Sequence, residues 1–436
     1  MDIGPVKIFT FSDVPRLRYI VELLLGEILG ISWEIVTDKR KLGKSPVINY
    51  SNEEIKDSFT IRPHNLLSET GLKRQEPVMS EWKGLPVFFQ TSDNSDIPFD
   101  IFAASFFLVS RYEEYIEFEP DQFGRFRGSQ SFAFKNNFLL KPVIDLWTKE
   151  FAKALLSRFR NIAFKKSEFR ALLTIDLDEP FAYLGKDLFR SLSGLITDVS
   201  HNDSGKAAKR YRTVAKGEKD PYDVFDYIFE MIGKNKTDAI FFLSMGDRSA
   251  FDQNPSWQNA DYRKLILNIS QKYPIGLHPS YNSSYHPKNL ATERQRLETI
   301  VSRKIIISRF HYIKMSFPVS YRNLLTSGIM EDYSMGYPDE PGFRAGISRP
   351  FFFYDLSEEK KSRLRIWPFQ IMDGTLIKYK GMSPESASET IKTLINETRR
   401  AGGIFISLWH NTNLLDETEW RKWRNTFELM LKLQQS

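Results

Sequence analysis

From Ala171 to the C-terminus, short apolar runs alternate with amphipathic stretches, and this alternation restricts the possible folds more than any other feature of the sequence. Strand-like runs fall at Ala171 to Leu177, Ala239 to Ser244, Ile275 to Leu277, Ile305 to Ser308 and Ile404 to Leu408. Between them lie helical patterns over Asp223 to Lys234, Tyr262 to Tyr273, Leu290 to Arg303, Val319 to Thr326 and Pro384 to Arg400. Two further extended pieces sit near Tyr333 and at Phe351 to Tyr354. Strands joined through helices pair in parallel, and about seven strands suit a barrel-like α/β domain better than an open sheet. That domain is expected over residues 166–436.

The preceding stretch reads differently. A strand over Val6 to Phe11 leads into a helix from Val14 to Leu29, with Leu17, Ile20, Val21, Leu24 and Ile28 on one face and Gly30 as its stop. Short strands at Trp33 to Val36 and Val47 to Tyr50, then helices over Asp100 to Tyr115 and Pro142 to Phe159, predict a smaller α+β accessory domain over residues 1–165. A chain of 436 residues fits two or three domains. The early apolar run Tyr19 to Val36 is broken by Glu22, Glu27 and Glu34, and no stretch is long enough to span a membrane. A cytoplasmic location is expected.

Composition narrows the chemistry. The chain has no cysteine, which excludes disulfides, thiolate metal sites and cysteine nucleophiles. Any metal must therefore be held by histidine and carboxylate. The net charge of +6 is spread along the chain and gives no reason to expect nucleic acid.

Polar groups cluster where the predicted strands end. Asp176 and Asp178 close the first strand at i and i+2, so they project to one side of it. An edge strand entering a turn would give the same pattern. Of the six histidines, however, three follow strands directly: His278, His311 and His410. In a parallel α/β domain these ends share one rim, which is the arrangement a histidine and carboxylate metal site needs.

The segments Asp176-Leu177-Asp178, His278-Pro279-Ser280, Arg309-Phe310-His311 and Leu408-Trp409-His410, in that order, resemble the successive motifs of the NodB-type polysaccharide deacetylases, carbohydrate esterase family 4. The resemblance covers about residues 168 to 430 and is closest to a bacterial two-domain branch with an extra N-terminal domain. The branch is matched by Ser110 to Tyr115, Gly276 to Ser280, Glu331 to Tyr337, Gly342 to Gly346 and Leu408 to Asn411. It implies a distorted (β/α)7-type barrel and metal-dependent hydrolysis of an acetyl group on an amino sugar or glycan of a surface polysaccharide pathway. Asp176 matches the general base, Arg309 the arginine that orients it, and His410 the acid that protonates the leaving group. Asp178 and His278 match metal ligands, with zinc the expected ion. Ser280, Tyr333, Arg344 and Trp409 are the expected substrate-binding residues, with Asp332 and Ser334 lining or bracing the rim. Trp367 and Asp373 fall in the region that shapes the acyl pocket. The implied partner is an acetylated sugar or polysaccharide precursor; nothing points to a protein partner.

One departure matters. The family carries a second histidine four residues after the first, and here that position is Asn282. The family's proline two residues after the arginine is replaced by His311. Arg309 and His311 alternate to the same side of a strand, so Asp178, His278 and His311 can form an altered site; Asn282 as a weak oxygen ligand is the competing arrangement. If neither holds, the chain is a deacetylase-like protein that binds glycan or serves in polysaccharide assembly. The basic segment Leu184 to Pro221 is either a lid over an anionic glycan or a solvated helical insertion.

Overall fold

The computed structural model describes residues 4–92, 94–185 and 204–435. His201, Lys186 and Arg190 lie outside them. The chain forms two compact units that share the sequence in an interleaved way: one comprises residues 1–170, 335–370 and 393–405, the other 171–334, 371–392 and 406–436. The chain first crosses between units after Arg170, and the first unit also draws on two later segments. Among the described residues no helix is long and apolar enough to cross a membrane.

The first unit is built on a four-stranded sheet in the order Trp33–Val36, Val6–Phe9, Val47–Asn49, Phe59–Thr60. All its neighbouring strands are parallel, while Ser80–Trp82 pairs antiparallel with Leu85–Val87 in a separate two-stranded sheet of the same unit. The cause of the parallel pairing is the crossover: strand Val6–Phe9 feeds helix Pro15–Val21, and its continuation to Ile28 returns the chain to the adjacent strand. Gly30 ends this helical stretch at φ +68°, a conformation that favours glycine.

Helix Ile101–Val109 of the same unit starts on the buried carboxylate of Asp100, whose Oδ1 accepts from the Ala103 amide at 3.0 Å. Past its end, Arg111 adopts φ 55° and turns its side chain inward. There Glu114 accepts from Arg111 Nε at 2.7 Å and from Arg344 Nε at 2.9 Å, while Arg111 Nη2 donates to Tyr337 at 2.7 Å. Burial alone would raise the Glu114 carboxyl, but the two guanidinium groups outweigh it and hold it below the usual range. Arg344, an expected substrate-binding residue, is buried and committed to Glu114 and to the Gly336 carbonyl in this unit. Removing one member of such a network leaves uncompensated buried charge. Glu114→Ala is predicted to destabilise the fold by about 3–5 kcal/mol, seen as a lower urea midpoint with an unchanged m-value; a midpoint equal to the parent would contradict this.

The second unit carries seven sheet strands in the order Glu331–Asp332, Ile307–Ser308, Ile275–His278, Asp238–Ser244, Arg170–Leu177, Ile404–His410, Ile371–Met372. Pairings along it are parallel, with Asp176 opposite Phe242, Ser244 opposite His278, Ser308 opposite Leu277 and Met372 opposite Leu408. Strands Glu331–Asp332 and Ile371–Met372 are not neighbours in this order, so the distorted barrel expected is a sheet that does not close on itself. The expected helices form, including Phe225–Asn235, Ala260–Lys272, Pro287–Val301 and Val319–Thr326. Helix Ala260–Lys272 shows why: Asn259 caps it by accepting from the Tyr262 amide at 2.9 Å, and Tyr262, Ile266 and Ile269 bury one face.

The described part of the basic segment includes helix Ser204–Lys216. Its cations are largely engaged: Lys209 with Glu417 at 3.0 Å, Arg212 with Glu218 at 3.1 Å, and Arg210 over the Tyr183 ring at 4.8 Å. Residues 186–203 of this segment lie outside the described residues.

Candidate metal centre

Because the strands of the second unit run parallel, their C-terminal ends fall on one edge of the sheet, and each end delivers a polar side chain. Asp176 and Asp178 come from the first strand, His278 from the third, Arg309 and His311 from the loop after the fourth, and His410 from the last. One ligand atom each from Asp178, His278 and His311 lies within 4.8 Å of the others.

The donor geometry of this cluster suits a cation. His278 Nδ1 lies 2.6 Å from the Arg309 carbonyl oxygen, which can only accept, so Nδ1 carries the hydrogen. In the neutral ring, Nε2 then presents a lone pair, and it faces Asp178 Oδ1 at 2.9 Å. Both atoms are buried and have no hydrogen-bond partner. Two such atoms at that distance need a cation between them, a part that a proton on Nε2 or a metal ion can play. His311 Nε2 lies 3.4 Å from Asp178 Oδ2, close to the separation of about 3.4 Å expected between two ligands each ~2.1 Å from a tetrahedral ion. The residues present therefore fit a divalent metal.

His311 depends on an unusual turn. The backbone after it runs through Tyr312 at φ 59° and Ile313 at φ 53°, both left-handed, and a β-branched residue rarely adopts that conformation. The Phe310 amide is held by Ser334 Oγ at 2.9 Å, and that hydroxyl donates to buried Asp332 at 2.8 Å. Asp332 and Ser334 are thus braces beneath the Arg309-to-His311 segment.

Asp176 is buried and paired with Arg309 Nη1 at 3.0 Å. The same Nη1 donates to Thr174 Oγ1 at 2.6 Å, and Thr174 in turn donates to the Ser407 carbonyl at 2.6 Å. The guanidinium lies 4.6 Å over the Phe242 ring. Gly276 makes room for that ring, since a Cβ there would sit 2.7 Å from Phe242 Cε1. His410 lies on the other side of Asp178, with Nε2 3.5 Å from Oδ2. Its Nδ1 is 2.6 Å from Asp373 Oδ1, and Asp373 Oδ2 accepts from the His410 amide at 2.7 Å and from Asn413 at 2.9 Å.

The electrostatics follow from these contacts. Burial would raise the Asp178 carboxyl, but His311 and His410 hold it well below the usual range. Burial would lower both imidazoles; Asp178 and Asp252 instead push His311 up to about 10, and Asp373 and Asp178 push His410 up to about 9.

Several expected positions lie elsewhere. Asn282 is exposed on the turn at 281–285, unlike the buried His278 and His311, which disfavours it as a ligand. Ser280 donates to Glu293 at 2.5 Å and also gives its amide to that carboxylate at 2.9 Å, so it is spent on fixing the turn. Trp409 is fully buried against Phe427, ring centroids 5.0 Å apart, and Tyr333 is buried with its ring 5.5 Å from Phe242. In this structure Ser280, Tyr333 and Trp409, the expected substrate-binding residues, are engaged in bracing and packing contacts. His64, in the first unit, stacks on Phe89 at 4.0 Å.

Two acids were missed or misjudged from sequence. Asp252 accepts from His311 Nδ1 at 2.9 Å, and nothing local marks it except its place in the loop after the second strand. Asp373 was expected in the region that shapes the acyl pocket, and its pairing with His410 required the fold.

In the metal-free protein His311 carries a proton that a cation must displace. Zinc binding at pH 8 is predicted to release about one proton per site, with affinity rising up to tenfold per pH unit below pH 10. Calorimetry in buffers of different ionisation enthalpy measures this. His311→Ala should lose both the affinity and the proton; unchanged proton release in that variant would contradict the assignment.

Residues 6–160 match a family of unknown function (DUF7033). No curated protein matches the chain. Among solved structures, the chain is similar to a Mycobacterium smegmatis protein described as a polysaccharide deacetylase, at 14% identity and TM-score 0.39, over 61% of this chain and 85% of that one. It is similar to a polysaccharide deacetylase from Bacillus cereus at 12% identity and TM-score 0.30, over 61% and 86%. It is also similar to a 4-alpha-glucanotransferase from Thermococcus litoralis at 9% identity and TM-score 0.36, over 62% and 37%.

Proposed function

We propose that the chain is a metal-dependent hydrolase that removes acetyl groups from an amino sugar or glycan of a surface polysaccharide pathway. The observation that carries this reading is the division of labour around Asp178: an arginine-paired carboxylate on one side, an aspartate-paired imidazole on another, and a histidine and carboxylate cluster between them. Asp178, His278 and His311 would hold the ion, with zinc the first candidate for such a donor set. When bound, a divalent ion supplies Lewis acidity and brings the pKa of water toward ~7.

The protein's own groups divide the proton work. Asp176, fixed by Arg309, takes a proton from the attacking water as its oxygen bonds to the acetyl carbonyl carbon. His410, held protonated at neutral pH by Asp373, donates to the leaving nitrogen or oxygen as the bond to carbon breaks. The products are acetate and the free amine or hydroxyl. An aromatic rim supports a sugar substrate. Phe251 is 37% exposed and stacks on Tyr281 at 3.9 Å, while Tyr312, beside His311, stands edge-on to both. Such apolar faces beside a few convergent polar groups suit the CH face of a pyranose.

Acetate release from N-acetylated and O-acetylated sugars tests the reading. Asp176→Asn is predicted to lower kcat by about 10²–10⁴-fold with zinc affinity retained. Since His410 must be protonated to act, kcat/KM should fall as pH rises through about 9, and Asp373→Asn should move that limb to lower pH. Zinc-loaded protein that releases no acetate from any of these sugars would overturn the proposal.

A further inference from the structure

We infer that Asp252 is the positioning residue that makes His311 a metal ligand, taking over a task that the turn at Asn282 cannot perform. The residue is buried and makes three hydrogen bonds with its carboxylate. Oδ1 accepts from His311 Nδ1 at 2.9 Å and from the Tyr281 amide at 2.9 Å. Oδ2 accepts from Ser249 Oγ at 2.6 Å. Ser249 also accepts from the Asp252 amide at 3.0 Å, and the Ser249 amide donates to the Asp252 carbonyl at 3.0 Å, so the loop closes on itself and fixes the carboxylate.

This geometry has two consequences. A hydrogen on Nδ1 shared with a carboxylate leaves Nε2 as the ligating nitrogen, and Nε2 is the atom that faces Asp178. The same Oδ1 ties His311 to Tyr281, three residues after His278, so one oxygen sets the separation of the two ligand-bearing segments. Asp252 is not a ligand itself: its oxygens are occupied by these donors, and it lies outside the Asp178, His278 and His311 group. Its lever is the left-handed turn at Tyr312 and Ile313, which brings the His311 ring to Asp252 on one edge and Asp178 on the other.

The inference rests on the metal-centre reading of the cluster and is independent of whether acetate is released, so the test uses metal affinity alone. Zinc affinity by chelator competition, extended with millimolar cobalt for weak variants, is compared for the parent, Asp252→Asn, His311→Asn and the double variant. Asparagine can keep the hydrogen bonds to His311 and Tyr281 while losing the charge. Asp252→Asn is expected to weaken binding by about 10–100-fold in the parent and by less than about twofold in the His311→Asn background. Ser249→Ala, which removes the Oδ2 contact and the acceptor of the Asp252 and Phe251 amides but leaves Oδ1 on His311 and Tyr281, should weaken binding in the same direction but less. An equal loss in both backgrounds, or no loss in the parent, would overturn the assignment.

Discussion

The second unit depends on a single carboxylate faced by three imidazoles. Asp178 sits within 2.9, 3.4 and 3.5 Å of the Nε2 atoms of His278, His311 and His410. The remote nitrogen of each ring is already committed: His278 to a backbone carbonyl, His311 to Asp252, His410 to Asp373. The rings therefore cannot relax away from one another at little cost, because each turn would break a buried hydrogen bond. The cost of gathering this polarity is met by the apolar sheet beneath it, in which Leu173, Ile175, Leu177, Phe241, Phe242 and Leu277 are fully buried.

The partners of the rings also separate their chemistry. A neutral carbonyl fixes the His278 tautomer without adding charge. A carboxylate behind His410 favours its protonated form, which suits an acid. A carboxylate behind His311 would do the same, yet His311 shares its other face with Asp178 and His278, where a cation can replace the proton. Similar dyads can thus serve different ends according to what lies across the ring.

The sequence made the functional edge legible because parallel α/β topology sends every strand end to one side. Asp176, Asp178, His278, His311 and His410 stand at predicted strand ends, and Arg309 joined them through the resemblance to the deacetylase motifs. What stayed hidden depended on tertiary packing. Asp252 lies in a loop with no periodic signal, and its partners come from residues 249, 281 and 311. Trp409, Arg344, Ser280 and Tyr333 carry polar or aromatic character that fits a sugar site equally well, and only burial shows that they brace or pack. The interleaved units were hidden for a similar reason: residues 335–370 follow the second unit's strands in sequence but join the first unit in space.

The central claim is that His311, and not Asn282, completes the metal centre with Asp178 and His278. Crystals grown with zinc and measured on both sides of its absorption edge test it most directly. The account predicts an anomalous peak at about 2.0–2.2 Å from Asp178, His278 Nε2 and His311 Nε2. A peak ligated by Asn282 with His311 turned away, or no peak among these residues, would contradict it.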